Sequence, residues 1–200
     1  DIDRNGLLDL FVTNFANEAD ILYLQDAPGL FVDATPTSGT QSANFSFVGW
    51  GAQFLDAELD GNPDLVVVNG HIDDYRGNGG YFEMPPQFYR NVGKGKFDYR
   101  PARNVGEFFE GRYSGRAMAK LDWNRDGRMD FVVSNIGAPA ALVTNATERV
   151  GHYLTVRLRG TSDARDALGS TVTVRTERGT WTKQLSGGDG YQASNERVLQ

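Results

Sequence analysis

The chain has 200 residues, of which 40 % are hydrophobic, so it suits one large globular domain or two small ones. Its net charge of −6 argues against nucleic acid or an anionic membrane surface as a partner. The lack of cysteine excludes disulfides and thiolate metal sites, and with no 18-residue apolar run we expect no membrane insertion. Short apolar runs are separated by Gly, Asn and Asp without a 3.6-residue period, which favours an all-β fold.

The chain opens on an Asp-rich segment that occurs three times. Residues 1–9 read DIDRNGLLD, and the pattern returns as DAELDGNPD at 56–64 and DWNRDGRMD at 122–130. The starts lie 55 and 66 residues apart, a period that suits a β-propeller blade of four short strands. Because the chain begins inside the first copy, we expect the intact protein to have residues before Asp1.

The residues around each copy share one register, which predicts the strands of a blade. An apolar run follows each copy and reaches Asn five positions after the last Asp, at Asn14, Asn69 and Asn135. Turns containing Gly follow Gln25 and Asn91, as a hairpin requires. The second blade is therefore predicted to have strands at 50–55, 65–69, 87–91 and 97–100, with residues 71–86 as an inserted surface loop.

The pattern changes near residue 152 to plain alternation of apolar and polar side chains. Residues 153–158 and 171–175 alternate in this way, and residues 181–185 are predicted as a third strand. Alternation at a period of two is typical of half-buried strands, so we predict a second, small β domain.

The three copies place oxygen ligands at positions 1, 3, 5 and 9, with Gly at position 6 for a sharp turn. Position 12, which is a Glu in an EF-hand, is Val in every copy, so the EF-hand is excluded. Ca²⁺ takes about six to eight oxygens, whereas Mg²⁺ prefers few protein ligands. The predicted calcium ligands are Asp1, Asp3, Asn5, Asp9, Asp56, Glu58, Asp60, Asp64, Asp122, Asn124, Asp126 and Asp130.

The acidity of the chain is concentrated in these three copies. They hold ten carboxylates and three arginines, a charge of −7, whereas the rest of the chain has 17 basic and 16 acidic side chains, a charge of +1. Carboxylates crowded into one turn repel each other unless a cation is present. The alternative, Asp-Gly turns that only cap hairpins, suits a single copy better than three in register. Whether the ion only staples strands or also touches a ligand stays open.

The repeated Asp-x-Asp-x-Asp-Gly-x-x-Asp pattern resembles the FG-GAP/VCBS repeats of integrin-α-type β-propellers over about residues 1–147. Residues 69–71, 88–97 and 115–117 resemble propellers that precede an ASPIC/UnbV domain, as in the cartilage acidic protein type. Residues 151–161, 167–174 and 187–191 are similar to the start of that domain. The resemblance implies blades at 1–147, an incomplete ASPIC/UnbV-like domain at 148–200, and an extracellular or periplasmic location.

The tail departs from the ASPIC/UnbV pattern at two places. The usual Asn-Arg-Asp-Gly is Ala-Arg-Asp-Ala at 164–167, and the chain stops at Gln200 before the Gly-Leu-Gly close. The chain carries two to three blades, whereas a closed ring needs about four to eight. We therefore expect exposed blade edges and a tendency of the chain to associate with itself.

The sequence favours a non-enzymatic module that binds a protein or carbohydrate ligand. No Ser or Thr lies in a nucleophile-elbow context, and Cys is absent. An enzymatic alternative remains, either as part of a larger enzyme or as a hydrolase with His71, Asp73 and Asp74. Aromatic residues near that segment suit stacking on a sugar or contact with a protein, although such residues more often pack blades together.

Overall fold

A computed structural model of the chain describes residues 1–78, 80–162 and 164–200. The strands are β1 Leu10–Val12, β2 Ile21–Ala27, β3 Leu30–Asp33, β4 Gly49–Leu55, β5 Asp64–Asn69, β6 Gln87–Gly93, β7 Lys96–Arg100, β8 Gly115–Leu121, β9 Asp130–Asn135, β10 Ala141–Val143, β11 Thr171–Thr176 and β12 Gly179–Gln184. The short helices are α1 Thr35–Ser38, α2 Gln41–Asn44 and α3 Glu107–Glu110, with 3-10 turns at Arg76–Asn78 and Ala102–Asn104.

The first ten strands form three antiparallel sheets in chain order. The sheets have the orders β1-β2-β3, β4-β5-β6-β7 and β8-β9-β10, which we call blades 1, 2 and 3. An Asp-rich segment joins β4 to β5 and β8 to β9, and the first copy leads into β1. The all-β fold and the partial propeller predicted from the repeats are confirmed, and so are the four strands of blade 2.

Strand β5 forms the centre of the protein because both of its faces are buried. Side chains of a strand alternate between its two faces. Leu65 and Val67 pack towards Leu22 of blade 1, whereas Val66 and Val68 pack in a second cluster with residues of blade 3. All four are at most 1 % exposed. This double burial explains why the sequence here is continuously apolar instead of alternating.

The inner strands β4 and β8 approach each other closely at Gly51. A Cβ at this position would lie 2.7 Å from the carbonyl oxygen of Arg116 and 2.9 Å from the nitrogen of Met118. Next along β4, the Gln53 amide donates a 3.1 Å hydrogen bond to the Met118 carbonyl. Glycine is therefore required where blades 2 and 3 meet.

The C-terminal segment, residues 148–200, contains the hairpin β11–β12, which we call the tail hairpin. After the hairpin, residues 187–196 of the C-terminal segment lie against β4 and β8, the inner strands of blades 2 and 3. Asn195 accepts a 2.7 Å hydrogen bond from the Lys120 amide and donates one of 3.0 Å to Gln53. Tyr191 packs edge-on against Trp50 with ring centroids 4.8 Å apart.

The strand predicted at 153–158 is not formed. Only Val156 pairs, in a single bridge with Leu199, while Tyr153 and Leu154 are 51 % and 58 % exposed. Alternation marks a segment that can form a strand, but a strand also needs a partner along its length. The predicted insertion at 71–86 is largely exposed, although Met84 is buried and bridges Tyr113. No helix of the described residues is long and apolar enough to cross a membrane.

Candidate metal centres

The three Asp-rich copies, which we call metal loops 1 (1–9), 2 (56–64) and 3 (122–130), have the same backbone. The fourth residue of each is left-handed, at Arg4 (φ 68°), Leu59 (φ 55°) and Arg125 (φ 60°). The sixth is left-handed glycine, at Gly6 (φ 91°), Gly61 (φ 85°) and Gly127 (φ 84°). Side chains other than glycine rarely adopt this region, so its recurrence at position 4 shows a constrained turn. The sequence predicted the glycine but not the strained fourth position.

The first Asp of each loop folds its carboxylate over the turn. It accepts a hydrogen bond from the glycine amide five residues later, at 3.1 Å in loop 1, 2.7 Å in loop 2 and 2.9 Å in loop 3. In loops 2 and 3 it also accepts from the amide at position 5, at 3.0 and 3.1 Å. The carboxylate of the first Asp therefore lies over the turn and is the acceptor for its backbone amides.

Positions 3 and 5 form short local turns in which a side-chain oxygen accepts from the amide two residues on. Asp3 and Asn5 do so in loop 1, at 3.1 and 2.7 Å. In loop 3, Asn124 and Asp126 do the same at 3.2 and 2.9 Å. In loop 2, Asp60 follows the pattern, but Glu58 is one carbon longer and instead pairs with Arg90 at 2.9 Å.

The ninth residue of each loop clips the loop to a strand of its blade. One oxygen of Asp9, Asp64 and Asp130 accepts from the amide at position 2 of its own loop, at 2.8, 3.1 and 3.1 Å. The other oxygen accepts from the backbone amide of Gln25, Asn91 or Asn145, at 3.0, 2.8 and 2.7 Å. The sequence indicates Gln25 and Asn91 only as hairpin positions and does not indicate Asn145, because the separation between the ninth residue and the donating amide differs among the copies, at 16, 27 and 15 residues.

Comparison with protein families accounts for this threefold geometry. The FG-GAP-like repeat model matches residues 1–67 and 56–133. The chain belongs to the FG-GAP-like repeat family. A second model, ASPIC and UnbV, matches residues 160–200, and a search of curated proteins finds no match. The suspected combination of FG-GAP repeats and an ASPIC/UnbV domain is thus confirmed, and both are modules that are typically non-catalytic.

Burial and mutual repulsion act on the carboxylates of these FG-GAP-like repeats. Burial, together with the nearby Glu58 charge, raises the pKa of Asp64 well above its usual range. Burial also raises the pKa of Asp130, and the charges of Asp126 and Asp122 add to the effect. These carboxylates are therefore costly to keep ionised without a cation.

Arginines already lie beside some of the predicted ligands. Arg90 reaches Glu58 at 2.9 Å and Asp60 at 3.8 Å in loop 2. In loop 3, Arg128 pairs with Asp126, and its backbone amide is the main cause of the lowered pKa of Asp126. A metal ion in loop 2 or loop 3 must therefore compete with an arginine side chain. Among the described contacts, no arginine pairs with a predicted ligand of loop 1.

The donor chemistry of the loops fits calcium, because every predicted ligand side chain offers a carboxylate or amide oxygen. Within the described ranges, however, no group of three or more acidic or histidine side chains is arranged to hold a metal ion. The oxygens of the predicted ligands instead accept hydrogen bonds from the backbone amides described above. An ion would have to share or displace those amide hydrogen bonds.

The alternative site at His71 has a different chemistry. Asp74 forms a paired contact with Arg76, with 2.9 and 2.6 Å bonds, which lowers the pKa of Asp74 to about 2. The Asp73 carboxylate accepts a 3.2 Å hydrogen bond from the Tyr75 hydroxyl, and the Asp73 backbone amide donates one of 3.1 Å to His71 Nδ1. A general acid needs a raised pKa, so Asp74 is held in the opposite state.

Proposed function

We propose that the chain is a calcium-binding propeller module that binds a protein or carbohydrate ligand outside the cytoplasm, in an extracellular or periplasmic setting, and catalyses no reaction. The observation that carries the proposal is the backbone turn shared by the three metal loops, each tied by its ninth residue to a later segment of its blade. Loops of this donor set bind calcium best where the ion is near millimolar.

The proposed role of calcium is structural. Positions 1, 3, 5 and 9 of each loop would hold the ion, which neutralises the crowded carboxylates and ties the loop to its strands. An ion that binds only the folded state at a hundredfold excess over its Kd adds about 2.7 kcal/mol per site to the free energy of unfolding. Under this proposal residues 1–147 form the calcium-dependent blades and residues 148–200 the ASPIC/UnbV-like domain.

The insertion offers the surface that best suits the proposed ligand. Phe15 packs edge-on against His71, whose other neighbour is Tyr75, with centroid distances of 5.4 and 4.8 Å. Tyr81 is 63 % exposed, and the Arg112 guanidinium lies 4.7 Å from its ring centroid. Exposed rings beside charged groups suit a sugar face or an aromatic-rich protein contact. The hydrolase alternative gains no support from Asp74, which is paired with arginine.

Calorimetry and thermal melting of the full chain test the proposal. We expect heat on titration with Ca²⁺ and a melting temperature that falls in EDTA. Asp60→Ala and Asp126→Ala should each reduce the calcium-dependent part of the melting temperature. Asp73→Ala, an exposed aspartate outside the loops, is the matched control and should not. No heat, together with identical melting in Ca²⁺ and EDTA, would overturn the proposal.

A further inference from the structure

The turn of metal loop 2 is covered by the tail hairpin. The Trp181 indole donates a 3.2 Å hydrogen bond to the Gly61 carbonyl, and a Cβ on Gly61 would lie 2.5 Å from the indole nitrogen. Arg4 of loop 1 donates to the same carbonyl at 3.1 Å and to the Asp60 carbonyl at 3.0 Å. The Arg4 guanidinium also lies 5.3 Å from the centroid of the Trp181 ring. Loops 1 and 2 and the hairpin thus meet at one point.

The turn of metal loop 3 is covered by other parts of the C-terminal segment. A Cβ on Gly127 would lie 2.0 Å from the Tyr153 ring, and the Gly127 carbonyl accepts a hydrogen bond from Gln200. Glu196 pairs with Arg125 at 2.6 Å and accepts a 3.1 Å hydrogen bond from the Asp122 amide. The contact with loop 3 therefore combines ring packing, an ion pair and backbone hydrogen bonds.

The connection between blade 3 and the tail also rests on loop 2. The Gly151 amide donates a 2.8 Å hydrogen bond to the Glu58 carbonyl. A Cβ on Gly151 would lie 2.1 Å from the Leu59 carbonyl oxygen, so the two backbones touch. In loop 2 these partners all lie at positions 3 to 6, around the left-handed residues; in loop 3 the tail also contacts position 1, at Asp122.

We infer that the turns of metal loops 2 and 3 are the docking surface for the C-terminal segment, so that divalent-cation binding in the loops and docking of the tail hairpin stabilise each other. This inference rests on the proposed function, since it assumes that the loops bind calcium. The tail bonds to backbone carbonyls whose positions are set by the left-handed residues of the turn. An ion that relieves repulsion among the carboxylates favours the closed turn and hence the docked tail.

The charge of one tail residue works against this coupling, because Lys183 of β12 lines the same cavity as Asp1, Asp9 and Asp56. The Lys183 ammonium of β12 attracts the Asp56 carboxylate, the first predicted ligand of loop 2. A cation in loop 2 would repel Lys183, so replacing the lysine should strengthen the coupling. Lys183→Met, which keeps the length of the side chain, is therefore expected to tighten calcium binding and to leave the tail docked.

Hydrogen–deuterium exchange of the full chain, read by mass spectrometry, measures docking without relying on any activity. A two-stranded hairpin is marginal in water when it stands alone, so undocking should expose the amides of residues 171–184. We expect their exchange to be about ten-fold faster in EDTA than in saturating Ca²⁺, within the usual range of coupling between two sites. Residues 96–100 of β7 pair with β6, have no described contact with the tail, and provide an internal reference.

Variants of the hairpin and the loops separate docking from ion binding. Trp181→Ala should speed hairpin exchange in calcium and weaken calcium binding by the same factor, because coupling is reciprocal. Trp181→Phe keeps the ring beside Val174 but loses the indole donor, so a smaller effect of the same sign is expected. Tyr99→Ala is the matched control, because Tyr99 lies on β7, is 44 % exposed, and its ring contacts Tyr89 instead of the tail.

Different results would contradict the docking inference and the proposed function. Calcium heat in calorimetry with equal hairpin exchange in Ca²⁺ and EDTA would overturn the docking inference and leave the proposed function standing. The inference is also overturned if Tyr99→Ala releases the hairpin as strongly as Trp181→Ala. Absence of calcium heat would overturn the proposed function itself. A calcium-dependent hairpin that Trp181→Ala alone releases supports both.

Discussion

The carboxylate of Asp64 accepts a 2.8 Å hydrogen bond from the backbone amide of Asn91, 27 residues later in the chain. Its other oxygen accepts from the Ala57 amide at 3.1 Å, and Asp64 itself is 1 % exposed. The residue predicted as a metal ligand is therefore also the clip that fixes loop 2 between β5 and β6. The same relation joins Asp9 to Gln25 and Asp130 to Asn145, so the clip belongs to the repeat.

Asp64→Ala is expected to destabilise the protein even without calcium. It leaves two buried amides without an acceptor, which should lower the free energy of unfolding by about 2 kcal/mol in EDTA. Asp60→Ala removes a half-exposed side chain and should stay within about 0.5 kcal/mol of wild type in EDTA while losing the gain from calcium. Urea denaturation with and without Ca²⁺ measures both. Equal stability of Asp64→Ala and wild type in EDTA would show that the two hydrogen bonds of Asp64 do not stabilise the fold.

Asp20 should make the protein less stable as the pH rises from about 4 to 6. Burial raises its pKa from 3.8 to about 6 in the folded state, so over this window the unfolded chain releases a proton that the folded chain keeps. The loss is on the order of 3 kcal/mol and is complete above the folded-state pKa. Asp20→Asn, which retains an acceptor for the Asn14 amide, should remove this slope and be more stable at pH 7.

Urea denaturation in EDTA between pH 4 and 8 gives the measurement, and the difference between variant and wild type isolates Asp20 from other carboxylates. Asp26→Asn, at an exposed position of β2, is the control and should leave the wild-type slope in place. Parallel profiles for wild type and Asp20→Asn would show that burial of this carboxyl does not govern the pH dependence.

The sequence predicted those parts of the fold whose signals are local. The Asp-Gly turns, the hairpin after Asn91 and the buried run from Leu65 to Val68 are each encoded within a few residues, and each appears in the structure. The repetition indicated the blades, which a single turn could not, because three copies in one register exclude a chance turn. The order of strands in the blades follows from that register.

The sequence did not predict the contacts that depend on distant partners. Trp181 was assigned to a strand, but nothing near it indicates the 3.2 Å bond to Gly61, 120 residues away. The alternation at 153–158 predicted a strand, yet only Val156 finds a partner, at Leu199. The ion pair between Arg90 and Glu58, with which a metal ion would have to compete, likewise depends on strand register. The register of β6 places the Arg90 side chain beside loop 2.

Gly51→Ala should destabilise the contact between blades 2 and 3. The added methyl group would lie 2.7 Å from the Arg116 carbonyl oxygen, which belongs to strand backbone and cannot turn aside. Overpacking of this kind costs about 1 to 3 kcal/mol. Gly77→Ala is the matched control, since nothing lies within 4 Å of its Cβ position. Thermal melting should separate the two variants, and equal melting temperatures would contradict the close approach of β4 and β8.

Strand β3 should drive self-association of the chain. It is the outer strand of blade 1, and its residues Leu30, Phe31 and Val32 are 58 %, 37 % and 48 % exposed. An exposed apolar edge is a template for pairing with another copy, and a lysine on the edge opposes it. Val32→Lys should therefore increase the monomer fraction in sedimentation velocity over a concentration series. Val92→Lys is the matched control, because Val92 is 54 % exposed but β6 is already paired on both sides. If wild type is a monomer at every concentration, or if Val92→Lys disperses it equally well, the β3 edge is not the site of association.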